Sequence, residues 1–599
     1  MLVTLDFETY FDVRLSLTKM TTMQYINDPQ FKVWGASLKF DDLPAEWYGE
    51  TEIEEAISQV NWDEVFLLCH NTAFDGAVLA QHYGYTPKYY LDTSSMARGI
   101  YPGHSSSLKN TAIRVFPDDE SKRKGDDLSK AKGVYDLPPD IEEALASYCI
   151  QDSELTYAIY QEIKDNLPQS EMDLIDQTIR MFVEPNLILD RERLTIYMDG
   201  EKANSEKAIS DSGVARDVLS SNAKFSLYIE ETLGLIVPTK KSPTTGKDIP
   251  ALGKNDAGFQ QLAKMYPQHK HVWDGRTAVK SRLKETRAKR FLDAANPDNK
   301  IGIPLRYYAA HTGRYGGSDK LNFQNMPRGS ELRKCLCSPK GHYVYVADLS
   351  NIEARMLAWL SGQDDLLEQF RTGTDVYSAF ASSIYDREIN KDDDPTERFV
   401  GKTAVLGLGY GMGWKKFQST LALGAAGPVV EVADEKAWQI INAYRAKFWR
   451  IPKLWAVCSQ FLMDMLSGAD NAYSVLRTEK NKIILPNSMC LYYEGLTSTR
   501  DGFQFSSGNK TTYTYGGKIT ENVVQALSRI VVTDALLRLS KIADIKVCLT
   551  VHDEIVCIAP EENPEQRLQQ IIDTMCIAPS WAEDLPLAAE GGFDRAYSK

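Results

Sequence analysis

Leu549-Thr550-Val551-His552-Asp553-Glu554-Ile555-Val556-Cys557 sets an imidazole and two adjacent carboxylates between two apolar, β-branched runs. The pattern predicts a tight β-hairpin with charge at its tip, anchored by apolar strands on either side. Carboxylates on such a rigid edge suit a divalent cation. Roughly two hundred residues upstream, Val344-Tyr345-Val346-Ala347-Asp348-Leu349-Ser350 ends a second apolar run in an acid, and a helical stretch starts at Glu353. Two acidic strand ends of this kind can share a pair of metal ions and support phosphoryl transfer.

The rest of the chain sets bounds on that reading. Its 599 residues exceed what one hydrophobic core sustains. With 43% hydrophobic and 25% charged residues the composition is that of a folded, multi-domain protein. No apolar run reaches the length of a membrane span, and Met1-Leu2-Val3-Thr4-Leu5-Asp6 lacks a basic signal-peptide start, so a cytoplasmic protein without membrane partners is expected. Nine cysteines without a CxxC pair argue against a disulfide framework and a structural zinc site, and Cys335 and Cys337 read as plain strand or loop thiols. A net charge of −14 opposes binding to a polyanion unless charge is segregated. The clearest basic run, Lys280 to Arg290, has six cations against Glu285. On a helix it can follow a phosphate backbone, or be an ordinary solvated face.

Residues 1–165 alternate strand-like runs (Leu2 to Phe7, Val33 to Phe40, Val65 to Cys69) with helix-like ones (Glu52 to Val60, Ala73 to Tyr83, Ile141 to Ile163), the signature of an α/β domain. From Gln169 to about Lys300 the chain reads as helical, with an exposed turn-rich loop over Pro238 to Gly246. Residues 340–348 read as a strand, 351–465 as helices and 545–559 as the hairpin, so the acidic strands flank a helical insertion.

Asp6 and Glu8 end the first strand two residues apart, which points both side chains to one face. Asp75 follows in His70-Asn71-Thr72-Ala73-Phe74-Asp75, and Asp152 in Tyr148-Cys149-Ile150-Gln151-Asp152, where Tyr148 and Asp152 share a helix face. Any one of these acids alone reads as a cap or a surface charge. Together, four carboxylates and a phenol can hold two ions, orient a water and support a leaving alkoxide. In order and spacing the three segments resemble the DEDDy class of 3′→5′ exonucleases. That resemblance implies that Asp6, Glu8, Asp75 and Asp152 hold metals and that Tyr148 positions the attacking water.

Arg398, Lys402, Leu406 and Tyr410 recur at steps of four, a stripe along one side of a helix about three turns long. Its cations can hold phosphates and its ring can lie against a base. Gly407, Gly409 and Gly411 cost such a helix roughly 1 kcal/mol each, so it depends on tertiary support. Gly401-Lys402-Thr403 is no P-loop, because Thr396 stands where that motif needs glycine.

From about residue 165 onward the chain resembles the family A DNA polymerases. Thr312-Gly313-Arg314 through Asn322-Phe323-Gln324-Asn325-Met326-Pro327 is similar to the family's first polymerase motif, Asp348 to Glu353 to motif A, Arg398 to Tyr410 to motif B, and His552-Asp553-Glu554 to motif C. The resemblance implies that Asp348 and Asp553 bind two Mg²⁺ per active site, with Mn²⁺ as a substitute. Arg398 and Lys402 would grip the triphosphate, Glu353 would crowd the sugar's 2′ position and Tyr410 would close over the nascent pair. Glu554 would be a further catalytic acid, and His552 and Leu406 further contacts to the nucleotide. Arg314, Gln324, Asn325 and Gln525 would meet primer–template DNA, with Lys280, Arg282 and Lys284 on its backbone.

The implied fold is multi-domain α/β and α+β: a ribonuclease H-like exonuclease (1–165), a linker and helical thumb (166–305), palm (306–360), fingers (361–479) and palm again (480–599). The implied partners are primer–template DNA, dNTPs and replication accessory proteins, acting on a monomer. Two positions depart from the family. Leu406 replaces an aromatic residue, which removes stacking on the incoming sugar, and Gly409 replaces a bulkier apolar residue, which would loosen the helix. The chain opens directly at the exonuclease motif without a 5′-nuclease domain, which resembles polymerases of bacteriophages in a host cytoplasm, including the subgroup that copies 2-aminoadenine DNA. A single-subunit RNA polymerase, an exonuclease fused to a nucleic-acid-binding module, and a non-enzymatic scaffold are the competing readings; Glu353 and the two acid clusters oppose them.

Overall fold

The computed structural model describes residues 1–598 apart from 125–129, 243, 244, 425, 426, 501 and 509. Pro243 and Thr244 of the turn-rich loop therefore lie outside the described residues.

Strands β1 (Leu2–Thr9), β2 (Val33–Phe40), β3 (Glu46–Gly49), β4 (Phe66–Cys69) and β5 (Tyr89–Asp92) form one sheet in the order β3-β2-β1-β4-β5. β1 runs antiparallel to β2 and parallel to β4. Val3, Leu5 and Phe7 on one face of β1 and Thr4 on the other are all buried, as a strand covered on both faces requires. The helix Pro139–Ile163 packs across β1 and β2, and the helix Thr72–Gln81 packs near β1, β4 and β5. The helices that carry Asp75 and Asp152 therefore both return to the strand that carries Asp6 and Glu8. β3 and β5 are four residues each, too short to show a period in the sequence.

The helix Gln169–Val183 leaves this unit and touches β5 and Thr72–Gln81 on one side and the helix Gly516–Ser540 on the other. Residues 191–280 build a helical unit with a small core of its own, centred on Phe225, Phe259 and Trp273. The basic run does not form one helix. It is divided at Ser281 and Arg282 between Lys270–Lys280 and Leu283–Ala294.

The second main sheet consists of β6 (His342–Leu349), β7 (Lys546–Val551), β8 (Glu554–Pro560) and β9 (Ala589–Asp594), in the order β7-β8-β6-β9 and antiparallel throughout. Between β6 and β7 the chain forms the expected helices, from Ile352–Ser361 to Arg450–Ser467. It then forms two small antiparallel sheets over residues 471–514, which the sequence reading did not anticipate. Thr511-Thr512-Tyr513-Thr514 carries a β-prone composition, but its strands are three to six residues long.

Candidate active sites

The hairpin forms as its residues dictate. β7 and β8 pair up to Val551↔Glu554, and His552-Asp553 makes the two-residue turn, with His552 at φ 57°. Asp348 stands near the end of β6, opposite Glu554 in register. The Leu349 N–H donates to the Asp553 carbonyl at 3.1 Å, which brings the two acidic strand ends together. Asp348 and Asp553 line one cleft of about 660 Å³, with Arg314, Arg328, Glu353, Arg398, Lys402, Leu406 and His552 around them. Burial raises the Asp553 carboxyl above the usual range against the pull of Arg314, and burial lowers the His552 imidazole, with Arg314 acting in the same direction. Arg328 reaches Asp348 at 3.4 Å.

The helix Pro395–Leu408 presents Arg398, Lys402 and Leu406 to this cleft at one-turn intervals. Arg398 Nε is held by Asp375 at 2.6 Å, which fixes the guanidinium. Leu406 is 39% exposed there, an apolar side chain kept in solvent by its place on the wall. Tyr410 departs from the expected stripe. The helix ends before it, and Tyr410 follows in a turn, with its carbonyl 3.4 Å from the Tyr515 hydroxyl. Gly409, expected to loosen the helix, stands just past its end and is closely packed. A Cβ there would lie 2.5 Å from Leu357 Cδ2, and the Gly409 carbonyl accepts from Trp455 Nε1 at 2.7 Å. The missing side chain is what lets the helices approach.

Several expected contacts have other partners. Glu554 is 2% exposed and accepts from Arg333 at 3.3 Å and from the Tyr597 hydroxyl, so it braces the hairpin from beneath and does not line the cleft. Gln324 is buried: its amide donates to the Thr550 carbonyl and its oxygen accepts from the His552 N–H at 3.4 Å, which pins the turn. Arg314 is ion-paired with Glu353. Asn325 is exposed, and Gln525 accepts from Thr312 at 3.4 Å outside the cleft wall. Arg282 and Lys284 pair with Glu206 and Glu201 at 3.2 and 3.0 Å, while Lys280 is exposed. Charge segregation along that run is thus weaker than its composition implies.

In the N-terminal unit, β1 carries Asp6 and Glu8 to one place, and oxygen atoms of both lie with Cys149 Sγ within 4.8 Å of one another. Asp75 Oδ1 accepts from the Phe7 N–H at 3.1 Å, which ties its helix to β1. Tyr148 and Asp152 come from Pro139–Ile163, and Lys124 is ion-paired with Asp152. Burial and the neighbouring Asp152 push the Asp6 carboxyl up to about 7; burial raises Glu8, Asp75 and Asp152 as well. Asp152 Oδ1 is buried without a hydrogen-bond partner among the described residues. An all-carboxylate set under mutual repulsion, with an orphaned oxygen, fits a hard divalent cation. Lys124 and Cys149 were not singled out from sequence; the short basic run Lys122-Arg123-Lys124 is the only trace of the first.

The raised carboxyls have a consequence for stability. The folded state binds protons that the unfolded chain has released between about pH 4 and 7, so the metal-free fold loses stability as pH rises through that window. Magnesium competes for the same oxygens. The Mg²⁺-induced rise in Tm is therefore expected to be larger at pH 8 than at pH 6, and Asp6→Asn should reduce the difference. Equal shifts at both pH values in scanning calorimetry would contradict this.

A profile described as DNA polymerase family A matches residues 193–599. The chain belongs to DNA polymerase family A. It is accordingly a DNA-directed DNA polymerase, a nucleotidyltransferase of DNA replication, in a family that uses divalent metal ions. The DNA polymerase of Bacillus phage SP02 is 25% identical over 100% of this chain and 99% of its own length. DNA polymerase I of Borreliella burgdorferi is 23% identical over 93% of this chain, which spans 59% of that protein. The POL domain of Pol1 from M. smegmatis, solved in complex with DNA primer–template and dNTP, superposes with a TM-score of 0.70 at 18% identity, covering 100% of this chain and 95% of that one. At that identity the likeness concerns the fold. Among the described residues, no helix of the polymerase is long and apolar enough to cross a membrane.

Proposed function

We propose that the polymerase extends a DNA primer at the Asp348/Asp553 cleft and removes 3′-terminal nucleotides at the Asp6/Glu8/Asp75/Asp152 cluster, as a proofreading replicase of phage type. The observation that carries the first activity is the meeting of Asp348 and Asp553 at one end of a cleft whose wall presents Arg398 and Lys402. Asp348 and Asp553 would hold two Mg²⁺ ions, which supply activation of the primer 3′-hydroxyl and stabilise departing pyrophosphate. Arg398 and Lys402 bind the triphosphate, and Asp375 keeps the guanidinium oriented. Glu353, held by Arg314, narrows the space beside the sugar. His552 stays neutral at the edge of the cleft, where burial and Arg314 disfavour its charge.

In this reading residues 1–165 are the exonuclease, 166–305 the linker and thumb, 361–479 the fingers, and 306–360 with 480–599 the palm. At the exonuclease the four acids would hold the ions and Tyr148 would orient water. The likeness to the SP02 protein over the whole chain supports a role in replicating a phage genome.

The test is a 5′-labelled primer–template with Mg²⁺, with and without dNTPs, resolved by length. Extension with dNTPs and shortening without them is expected. A protein that neither extends nor shortens the primer refutes both parts, and extension with NTPs as efficient as with dNTPs refutes the role of Glu353.

The place of Leu406 on the cleft wall carries a separate expectation. Leu406→Phe adds a ring where the incoming sugar would lie, so the ratio of dideoxynucleotide to deoxynucleotide incorporation should change by about tenfold, the equivalent of one aromatic contact. Indistinguishable ratios for the two proteins would show that this side chain does not face the sugar.

A further inference from the structure

The exonuclease cluster includes a cation that its acidic segments do not explain. Lys124 Nζ is ion-paired with Asp152 and lies 4.8 Å from the centre of the Tyr148 ring, so it touches both the fourth acid and the phenol. Its loop is anchored at the preceding residue. Arg123 donates to the Phe116 and Pro117 carbonyls at 2.8 Å each, and Gln151, the neighbour of Asp152, donates to the Arg123 carbonyl at 2.9 Å. The backbone is thus held to the helix that bears Tyr148 and Asp152, while a four-carbon stem leaves the ammonium free to swing. The side chain of Lys124 is 23% exposed, against 6% for Asp152. A lysine whose role was to neutralise the acids would be expected to be enclosed with them. This one keeps part of its side chain in contact with solvent.

Resting on the exonuclease reading above, we propose that Lys124 is a catalytic residue of strand degradation, which donates to a non-bridging oxygen of the terminal phosphodiester. Divalent ions at Asp152 repel the ammonium from its partner there, and the nearest remaining anion is the substrate phosphate. In the reaction a water oxygen bonds to phosphorus while the bond from phosphorus to the 3′-oxygen of the penultimate nucleotide breaks. One proton of the water ends on that 3′-oxygen through solvent, the hydroxyl remains on the released nucleoside 5′-monophosphate, and the strand keeps a 3′-hydroxyl. Negative charge accumulates on the non-bridging oxygens as the bond to water forms. A charge-assisted donor placed there stabilises it selectively.

The experiment uses the full chain as wild type, Lys124→Ala, Lys124→Arg and Asp6→Ala. Single-turnover degradation of a 5′-labelled single-stranded oligonucleotide is expected to slow on the order of 10²-fold in Lys124→Ala, with Lys124→Arg recovering most of the rate. Primer extension with dNTPs should be unchanged in both, which reports an intact fold. Sulfur replacement of one non-bridging oxygen should slow wild type more than Lys124→Ala. Binding of deoxythymidine 5′-monophosphate in Mg²⁺, followed by thermal shift, should weaken about tenfold in Lys124→Ala.

Degradation by Lys124→Ala at the wild-type rate, or tighter Mg²⁺ binding with no change in rate, would overturn the proposal and leave Lys124 as a stand-in for the ion. If Asp6→Ala abolishes degradation while Lys124→Ala does not, the exonuclease reading survives and this inference alone falls. If wild type does not degrade DNA, both fall.

Discussion

Asp348→Ala is expected to lower primer extension at least about 10³-fold while leaving 3′ degradation within a few-fold of wild type. In the proposed reading, removal of the carboxylate would take away one of the two groups that hold positive charge against the reacting phosphate; Glu590, opposite Asp348 on β9, is the acid left on that side of the cleft. Glu554, the nearest acid in sequence to the hairpin turn, is committed to Arg333 and Tyr597 beneath the sheet. The two acid clusters lie on separate sheets, so Asp6→Ala should give the opposite pattern, with extension kept and degradation lost. Single-turnover extension with saturating dNTP is the deciding measurement. A rate for Asp348→Ala within tenfold of wild type would place synthesis outside this cleft.

Glu171→Ala is expected to cost about 3–5 kcal/mol of stability, the cost of leaving a buried charge without its partner. Glu171 is 1% exposed, near the start of Gln169–Val183, and its carboxylate meets Arg529 in a two-pronged pair, one prong at 2.8 Å. The Tyr307 hydroxyl and the Asn487 amide also donate to it, at 2.6 and 2.9 Å. Truncation therefore strands a guanidinium, a phenol and an amide at once. Arg529 belongs to Gly516–Ser540 and also lines the Asp348/Asp553 cleft, so the pair joins the helix that leaves the N-terminal unit to the wall of that cleft. Extension should fall along with stability. A double replacement, Glu171→Leu with Arg529→Met, removes both charges and should recover much of the loss. Urea unfolding followed by tryptophan fluorescence checks this; a loss below 1 kcal/mol for Glu171→Ala would mean that water reaches the pair.

The legible part of this molecule is the part in which function depends on residues close in sequence. Asp6 and Glu8 share a strand, Arg398, Lys402 and Leu406 share a helix, and His552-Asp553 occupy a turn whose flanking apolar runs leave little choice of conformation. Short-range periodicity is enough to place each set on one face. Tyr410 shows the limit of the same rule. Its i+4 spacing continues the stripe, but the glycine-rich end of the helix lets the chain turn before reaching it. The two small sheets of residues 471–514 were missed for a related reason: their strands are too short to show a period, and they are stabilised by one another.

By itself the sequence determined which residues carry charge at strand ends, and in what order along the chain, because those are properties of neighbours a few residues apart. The tertiary structure decided which of them meet. It joined Asp348 to Asp553 through the pairing of β6 with β8, withdrew Glu554 into the support of the hairpin, set Gln324 against the turn while leaving it on the cleft wall, paired Arg282 and Lys284 with acids on another helix, and brought Lys124 onto Asp152. Such encounters are set by packing and by the demand that every buried charge find a partner, and neither is visible in local spacing.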